Sequence, residues 1–227
     1  MTRRWHDPRI PAPEDCVLRP LLERRARETP DKVFAVFDAT GQTWTYADLL
    51  RQTQETAAAL KSIAKSGKKI MFVGTKKQAK EIVTDCARRV NMPFATERWL
   101  GGMLTNWTTM RARIDRLKDL ERMESSGAIA MRPKKEAAVL RRELERLQKY
   151  LGGLKNMRRL PDVVVLVDQR RETNAVLEAR KLDIPLVSML DTNCDPDQVN
   201  LPIPGNDDAL RSIKLFASRI ADSIIEG

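Results

Sequence analysis

Three short runs of nearly unbroken apolar character constrain this fold more than any other feature. They are KIMFV at residues 69–73, VVVLV at 163–167 and LVSML at 186–190. A strand apolar at almost every position has no face to give to water, so it must be covered on both sides. A segment of helical composition follows the first two runs, and helices between consecutive strands supply both the cover and the crossover that parallel pairing needs. The predicted class is therefore α/β: a parallel sheet with helices on both faces.

The rest of the chain fits around that sheet. Pro8, Pro11, Pro13 and Pro20 oppose regular structure at the start, and VLRPLLERRARETPDK then reads as one short amphipathic helix on an arm. VFAVFD at 33–38 is β-prone, Thr40-Gly41 is a turn, and TYADLLRQTQETAAALKSIAK is helical. After the 69–73 strand, Gly74 and Thr75 read as turn and cap of a helix whose apolar face carries Ala79, Ile82, Val83, Cys86, Ala87 and Val90. PFATERW is a short extended piece. Later come the helix TNAVLEARKLD, a Pro-rich short strand in LPIPGND, and a closing helix ALRSIKLFASRIADSII.

Residues 105–157 break the alternation. Two helical segments are separated by SSGAIAMRP, and in the second Leu140, Leu144, Leu147, Leu151 and Leu154 recur at intervals of 4, 3, 4 and 3, the seam of a coiled coil. Trp107, Met110, Ile114 and Leu117 answer it in the first, while Leu120 and Met123 drift off the heptad. The expected structure is an antiparallel helical hairpin inserted between two strands, with a basic outside.

Charge is distributed unevenly. Residues 1–60 carry 9 Lys and Arg against 9 Asp and Glu, residues 61–160 carry 25 against 10, and residues 161–227 carry 7 against 12. A basic block of this density beside an acidic end is the footprint of a polyanion partner, because each neutralised phosphate releases counterions. The expected phosphate contacts are Lys76, Lys77, Arg88, Arg89, Arg98, Arg111, Arg113, Lys134, Lys135, Arg158 and Arg159, with the acidic end facing protein or solvent. Trp99, among apolar neighbours, is read as core rather than as a base-stacking platform.

Other chemistry finds little support. Gly74-Thr75-Lys76-Lys77 precedes a helix but has one glycine, where a Walker loop needs GxxxxGK[ST] and a dinucleotide loop GxGxxG. DTNCDPD at 191–197 spaces Asp191, Asn193 and Asp195 like a calcium loop, but Pro196 and Pro202 stand where its Gly and closing Glu belong, so a turn with Asx hydrogen bonds is expected. Asn206, Asp207 and Asp208 read as an N-cap and first turn. Cys86 is read as a core thiol. Cys16, Cys86 and Cys194 form no CxxC pair and His6 is the only histidine, so no disulfide framework or zinc site is expected. No apolar run approaches the roughly 20 residues needed to cross a bilayer. The expectation is a cytoplasmic, non-enzymatic protein with no cofactor, no metal, no membrane contact and no small-molecule substrate.

From Lys61 onward the chain resembles the second protein of the small ribosomal subunit, the S-two family of bacteria and plastids. The resemblance rests on KKIMFVGTKKQAKE (68–81), ERWLGGMLTNW (97–107), RPKKEAAVLRRE in the hairpin, LGGLKNMRRLPD (151–162), and DTNCDPD with IPGNDDA. It implies a parallel α/β sheet with a projecting helical hairpin, binding to small-subunit rRNA and neighbouring ribosomal proteins, and no catalytic site; a plastid stroma location would also suit it. Residues 1–60 do not follow that family, which begins with a Gly- and His-bearing tail. HDPRIPAPEDCVLRPLLERRARETPDKVFAVFDATGQTWTYADLL instead resembles the start of an adenylate-forming acyl-CoA synthetase, without that family's ATP loop or later acidic and lysine motifs; Thr2-Arg3-Arg4-Trp5 echoes the ribosomal family's own start. The chain thus reads as a fusion: a synthetase-like segment at 1–60 and a ribosomal-protein-like domain at 61–227 with its hairpin at 105–157. An inactive synthetase fragment, and an α/β interaction module that no longer assembles into ribosomes, are the alternatives. In the fusion reading, residues 33–38 replace a missing family strand and should pair in the sheet beside 69–73 or its neighbour.

Overall fold

A computed structural model describes residues 18–38 and 40–226; the arm with its first three prolines, His6 and Cys16 lies outside them. In chain order the elements are α1 (Leu18–Glu28), β1 (Val33–Val36), β2 (Thr43–Thr45), α2 (Tyr46–Lys65), β3 (Ile70–Val73), α3 (Lys77–Arg89), β4 (Phe94–Ala95), α4 (Trp107–Ser125), α5 (Lys134–Leu151), β5 (Val163–Val167), α6 (Thr173–Lys181), β6 (Leu186–Leu190), β7 (Leu201–Pro204) and α7 (Leu210–Ile225).

Five strands form one parallel sheet in the order β4-β3-β5-β6-β7. Every residue of β3, β5 and β6 is buried, as their uniform apolar character requires. Side chains alternate between two cores. Ile70, Phe72, Val163, Val165, Val187 and Met189 pack with α3 and α7 on one face. Met71, Val73, Val164, Leu166, Leu186 and Leu190 pack on the other with α6, the 99–104 loop and the base of α4 and α5.

α4 and α5 fold back on each other, tied by Arg116 to Glu143 at 3.0 Å and Arg141 to Glu124 at 3.1 Å. Their apolar seams are not equally covered. Met110, Ile114, Leu117 and Leu120 are buried on α4, whereas Leu140, Leu144 and Leu147 on α5 are only half-buried and Leu151 closes the base. Glycine is required just beyond: a Cβ on Gly153 would stand 2.2 Å from the Phe94 carbonyl oxygen, so only Gly lets the hairpin base seat against β4.

Three expectations are corrected. Residues 33–38 do not join the main sheet; β1 and β2 pair antiparallel as a separate two-stranded sheet. β3 already has β4 and β5 on its two flanks, so no edge beside 69–73 is free to pair. The hairpin docks by side chains instead: Phe37 and Trp44 make an edge-to-face pair at 5.3 Å within the core cluster, and the Asp38 N–H donates to the Thr192 carbonyl at 2.7 Å. Thr75 is not the cap of α3, because that position falls to Lys76. Likewise α7 starts at Leu210 with Ala209 at its cap; Asn206 Oδ1 accepts from the N–H of Asp208 and Ala209 in a turn before it.

Candidate nucleic-acid interface

The carboxyl ends of β3 and β5, where strand order reverses, are where open α/β sheets bind ligands. Here that crevice is filled by the protein itself. Lys76 is buried, and its ammonium meets Asp208 at 2.6 Å, Asp207 at 2.8 Å and Asp168 at 3.1 Å. Burial by itself would lower the Lys76 pKa, but the hydrogen bonds its ammonium donates to these three carboxylates outweigh it and hold the group well above its usual value. The Thr75 N–H donates to buried Glu172 at 2.7 Å. Glu172 is itself pushed up from the usual carboxylate range, chiefly by burial. Gly74 serves packing: a Cβ there would meet Val83 at 3.0 Å and Ala79 at 3.4 Å.

Lys76 therefore leaves the set of phosphate contacts, since its charge is spent on joining β3, β5 and the approach to α7. Sequence reasoning missed this because its three partners lie 92, 131 and 132 residues further on. Asp207 is correspondingly a buried ion-pair partner, not a first-turn residue. The 191–197 loop is built of Asx bonds, Asp191 Oδ1 accepting from the Thr192 N–H and Asp195 Oδ1 from the Asp197 N–H. Gln169, also buried, clamps that loop through both the N–H and carbonyl of Asp195. Among the described residues no cluster of His, Cys, Asp and Glu could hold a metal ion, and no helix is long and apolar enough to cross a membrane. Cys86 lies buried between α3 and α7.

The remaining cations divide between two surfaces. An open groove of about 1340 Å³ runs between the α3–β4 edge and the hairpin base. It brings together Arg88, Arg158 and Arg159 from the predicted set and adds Lys69, Lys80, Lys118, Lys149 and Lys155, none of them among the expected phosphate contacts. Four acids share it, Glu81, Asp85, Glu97 and Glu121; Glu97 is bound by Lys80 and Glu121 by Lys155, while Arg159 is bound by Asp162 from outside the lining. Arg88 stands 5.7 Å over the Phe94 ring. Arg111, Arg113, Lys134 and Lys135 are exposed on the hairpin, away from the groove. Lys77 and Arg98 are exposed as single positions. Arg89 turns to α7, donating to Asp222 at 2.8 Å and to the Ser218 carbonyl, so it too is engaged within the protein.

Trp99 is buried, its indole N–H donating to Glu178 at 3.0 Å. Glu178 also accepts from the backbone N–H of Gly102, Leu104 and Thr105. One carboxylate on α6 thus fixes the loop that launches α4.

Comparison with known proteins gives the family. Residues 46–227 match the family model described as Ribosomal protein S2. The match begins at Tyr46, so α2, read from the sequence as part of the N-terminal segment, lies inside it. Proteins named small ribosomal subunit protein uS2 are similar over most of their length: that of Synechococcus sp. (strain WH7803) is 77% identical over 168 residues, covering 74% of this chain and 70% of its own. That of Prochlorococcus marinus (strain NATL1A) is 79% identical over 164 residues, covering 72% and 71%.

Proposed function

The chain belongs to the ribosomal protein S2 family, and from that premise we propose that it binds small-subunit rRNA through the phosphate backbone, using its groove and hairpin. It is a structural constituent of the small ribosomal subunit, not an enzyme. The observation that carries the RNA reading is the groove, in which cations distant in sequence converge on one concave surface with half as many acids. Within it and around it the contacts are Arg88, Arg158 and Arg159, then Arg111, Arg113, Lys134 and Lys135 on the hairpin, with Lys77 and Arg98 at separate sites. The acidic C-terminal block, residues 161–227, faces neighbouring ribosomal proteins or solvent. The site of action is the ribosome, in cytoplasm or plastid stroma.

Residues 1–45 lie outside the family match. For them we keep the synthetase-like ancestry as a proposal about origin only; the reading of the whole chain as an inactive synthetase fragment is not favoured.

The test is binding of the purified chain to small-subunit rRNA across a salt series, with co-sedimentation on small subunits in a sucrose gradient. We expect log affinity to fall linearly with log salt, losing about 10³-fold or more between 50 and 200 mM if about six phosphates are contacted. Salt-insensitive association would overturn the phosphate reading. RNA binding without co-sedimentation would favour an α/β module that no longer assembles into ribosomes.

A further inference from the structure

The two hairpin helices spend their cations differently. On α4, Arg116 is bound to Glu143, Lys118 to Asp115 and Arg122 to Asp119, which leaves Arg111 and Arg113, two residues apart and so on opposite sides of the helix. On α5, Arg141 is bound to Glu124, but Lys134, Lys135, Arg142, Arg146 and Lys149 are exposed and make no ion pair. The last four share one line. At about 100° per residue they fall within about 60° of each other around the axis, and at about 1.5 Å per residue they span about 21 Å. Every acid of α4 and α5 except Glu145 is held in an ion pair, so little within the hairpin neutralises this line. Its lower end, Lys149, is also a wall of the groove.

We infer that Lys135, Arg142, Arg146 and Lys149 form a continuous track along the outer face of α5 that follows the phosphate backbone of duplex RNA from the hairpin tip into the groove. The inference rests on the rRNA reading above and assigns it a direction and a strand type. Duplex is favoured over single-stranded RNA because the track offers no open platform for an unstacked base: Ala138 and Val139 are aliphatic, Phe94 on the groove wall is capped by Arg88, and the ring of Tyr150 packs against the core with the Lys149 ammonium 5.8 Å over it. The sequence pattern alone could not select these four, since α4 carries a similar number of cations.

The test compares the salt dependence of small-subunit rRNA binding for the full chain and two variants of equal charge. One carries Lys135→Gln, Arg142→Gln, Arg146→Gln and Lys149→Gln. The other carries Lys65→Gln, Arg211→Gln, Lys214→Gln and Arg219→Gln, exposed positions on α2 and α7. The α5 variant should lose about 3–4 from the slope of log affinity against log salt, about one for each phosphate contact removed, while the control stays within about one of the unmodified chain. Equal losses in both variants would show a diffuse field and overturn the track, as would an unchanged slope in the α5 variant. No salt slope in the unmodified chain would instead overturn the rRNA reading beneath it. A mixed-sequence RNA duplex should compete for the unmodified chain better than single-stranded poly(U); the reverse order would overturn the duplex assignment.

Discussion

Glu178 stands on a short helix, yet its carboxylate organises a loop more than 70 residues earlier in the chain, accepting from Trp99, Gly102, Leu104 and Thr105. Burial would raise its pKa, but those four donors outweigh burial and hold it below the ordinary 4.5. A carboxylate depressed in the folded state contributes stability above its unfolded pKa and loses it as pH falls through the folded value. The chain should therefore lose stability progressively below about pH 4.5, and Glu178→Gln should flatten that part of the curve. At pH 7 the variant should be less stable by about 1.5–3 kcal/mol, the value of a hydrogen bond to a charged group. Urea midpoints between pH 3 and 7, followed by tryptophan fluorescence, check this; parallel curves for the two proteins would refute it. Lys76 shows the complementary case, a lysine read as a ligand contact that the fold uses as an internal tie.

At the scale of elements, the meeting of β4 with the hairpin base is the most demanding contact. A methyl group on Gly153 would collide with the Phe94 carbonyl and ring, and backbone cannot move aside as a flexible side chain can. Gly153→Ala should cost about 1–3 kcal/mol, the range for overpacking, and should narrow or distort the groove that Gly153 lines. Equilibrium urea unfolding measures the first effect and rRNA affinity the second; an unchanged urea midpoint would mean that the base shifts freely. The apolar runs at 69–73, 163–167 and 186–190 were legible as strands because full burial leaves a period-free apolar signature. The caps of α3 and α7 were misplaced because Thr75 and Asn206 are good cap residues whose side chains find other partners: the Thr75 hydroxyl lies 3.3 Å from Arg171 Nε, and Asn206 closes an earlier turn.

The whole molecule anchors its N-terminal hairpin through Phe37 and Trp44 in the same cluster that holds β5, α6 and the base of α4, while Val33, Phe34 and Val36 of β1 stay exposed. Phe37 and Trp44 are part of that core although β1 and β2 are not part of the sheet. Phe37→Ala should therefore destabilise the entire chain by about 3–5 kcal/mol in a single transition, because the cavity opens in the shared core. A separate early transition seen by proteolysis or circular dichroism, with the main urea midpoint unchanged, would show the hairpin to be an independent unit. The sequence by itself determined the α/β class, the parallel strands, the two-helix insertion and the basic middle block, because burial and charge density are local properties of composition and period. Only the tertiary structure decided which cations remain available to a partner. That choice depends on carboxylates brought from distant parts of the chain: Asp168, Asp207 and Asp208 remove Lys76, Asp222 draws Arg89 toward α7, and the unpaired face of α5 is left exposed.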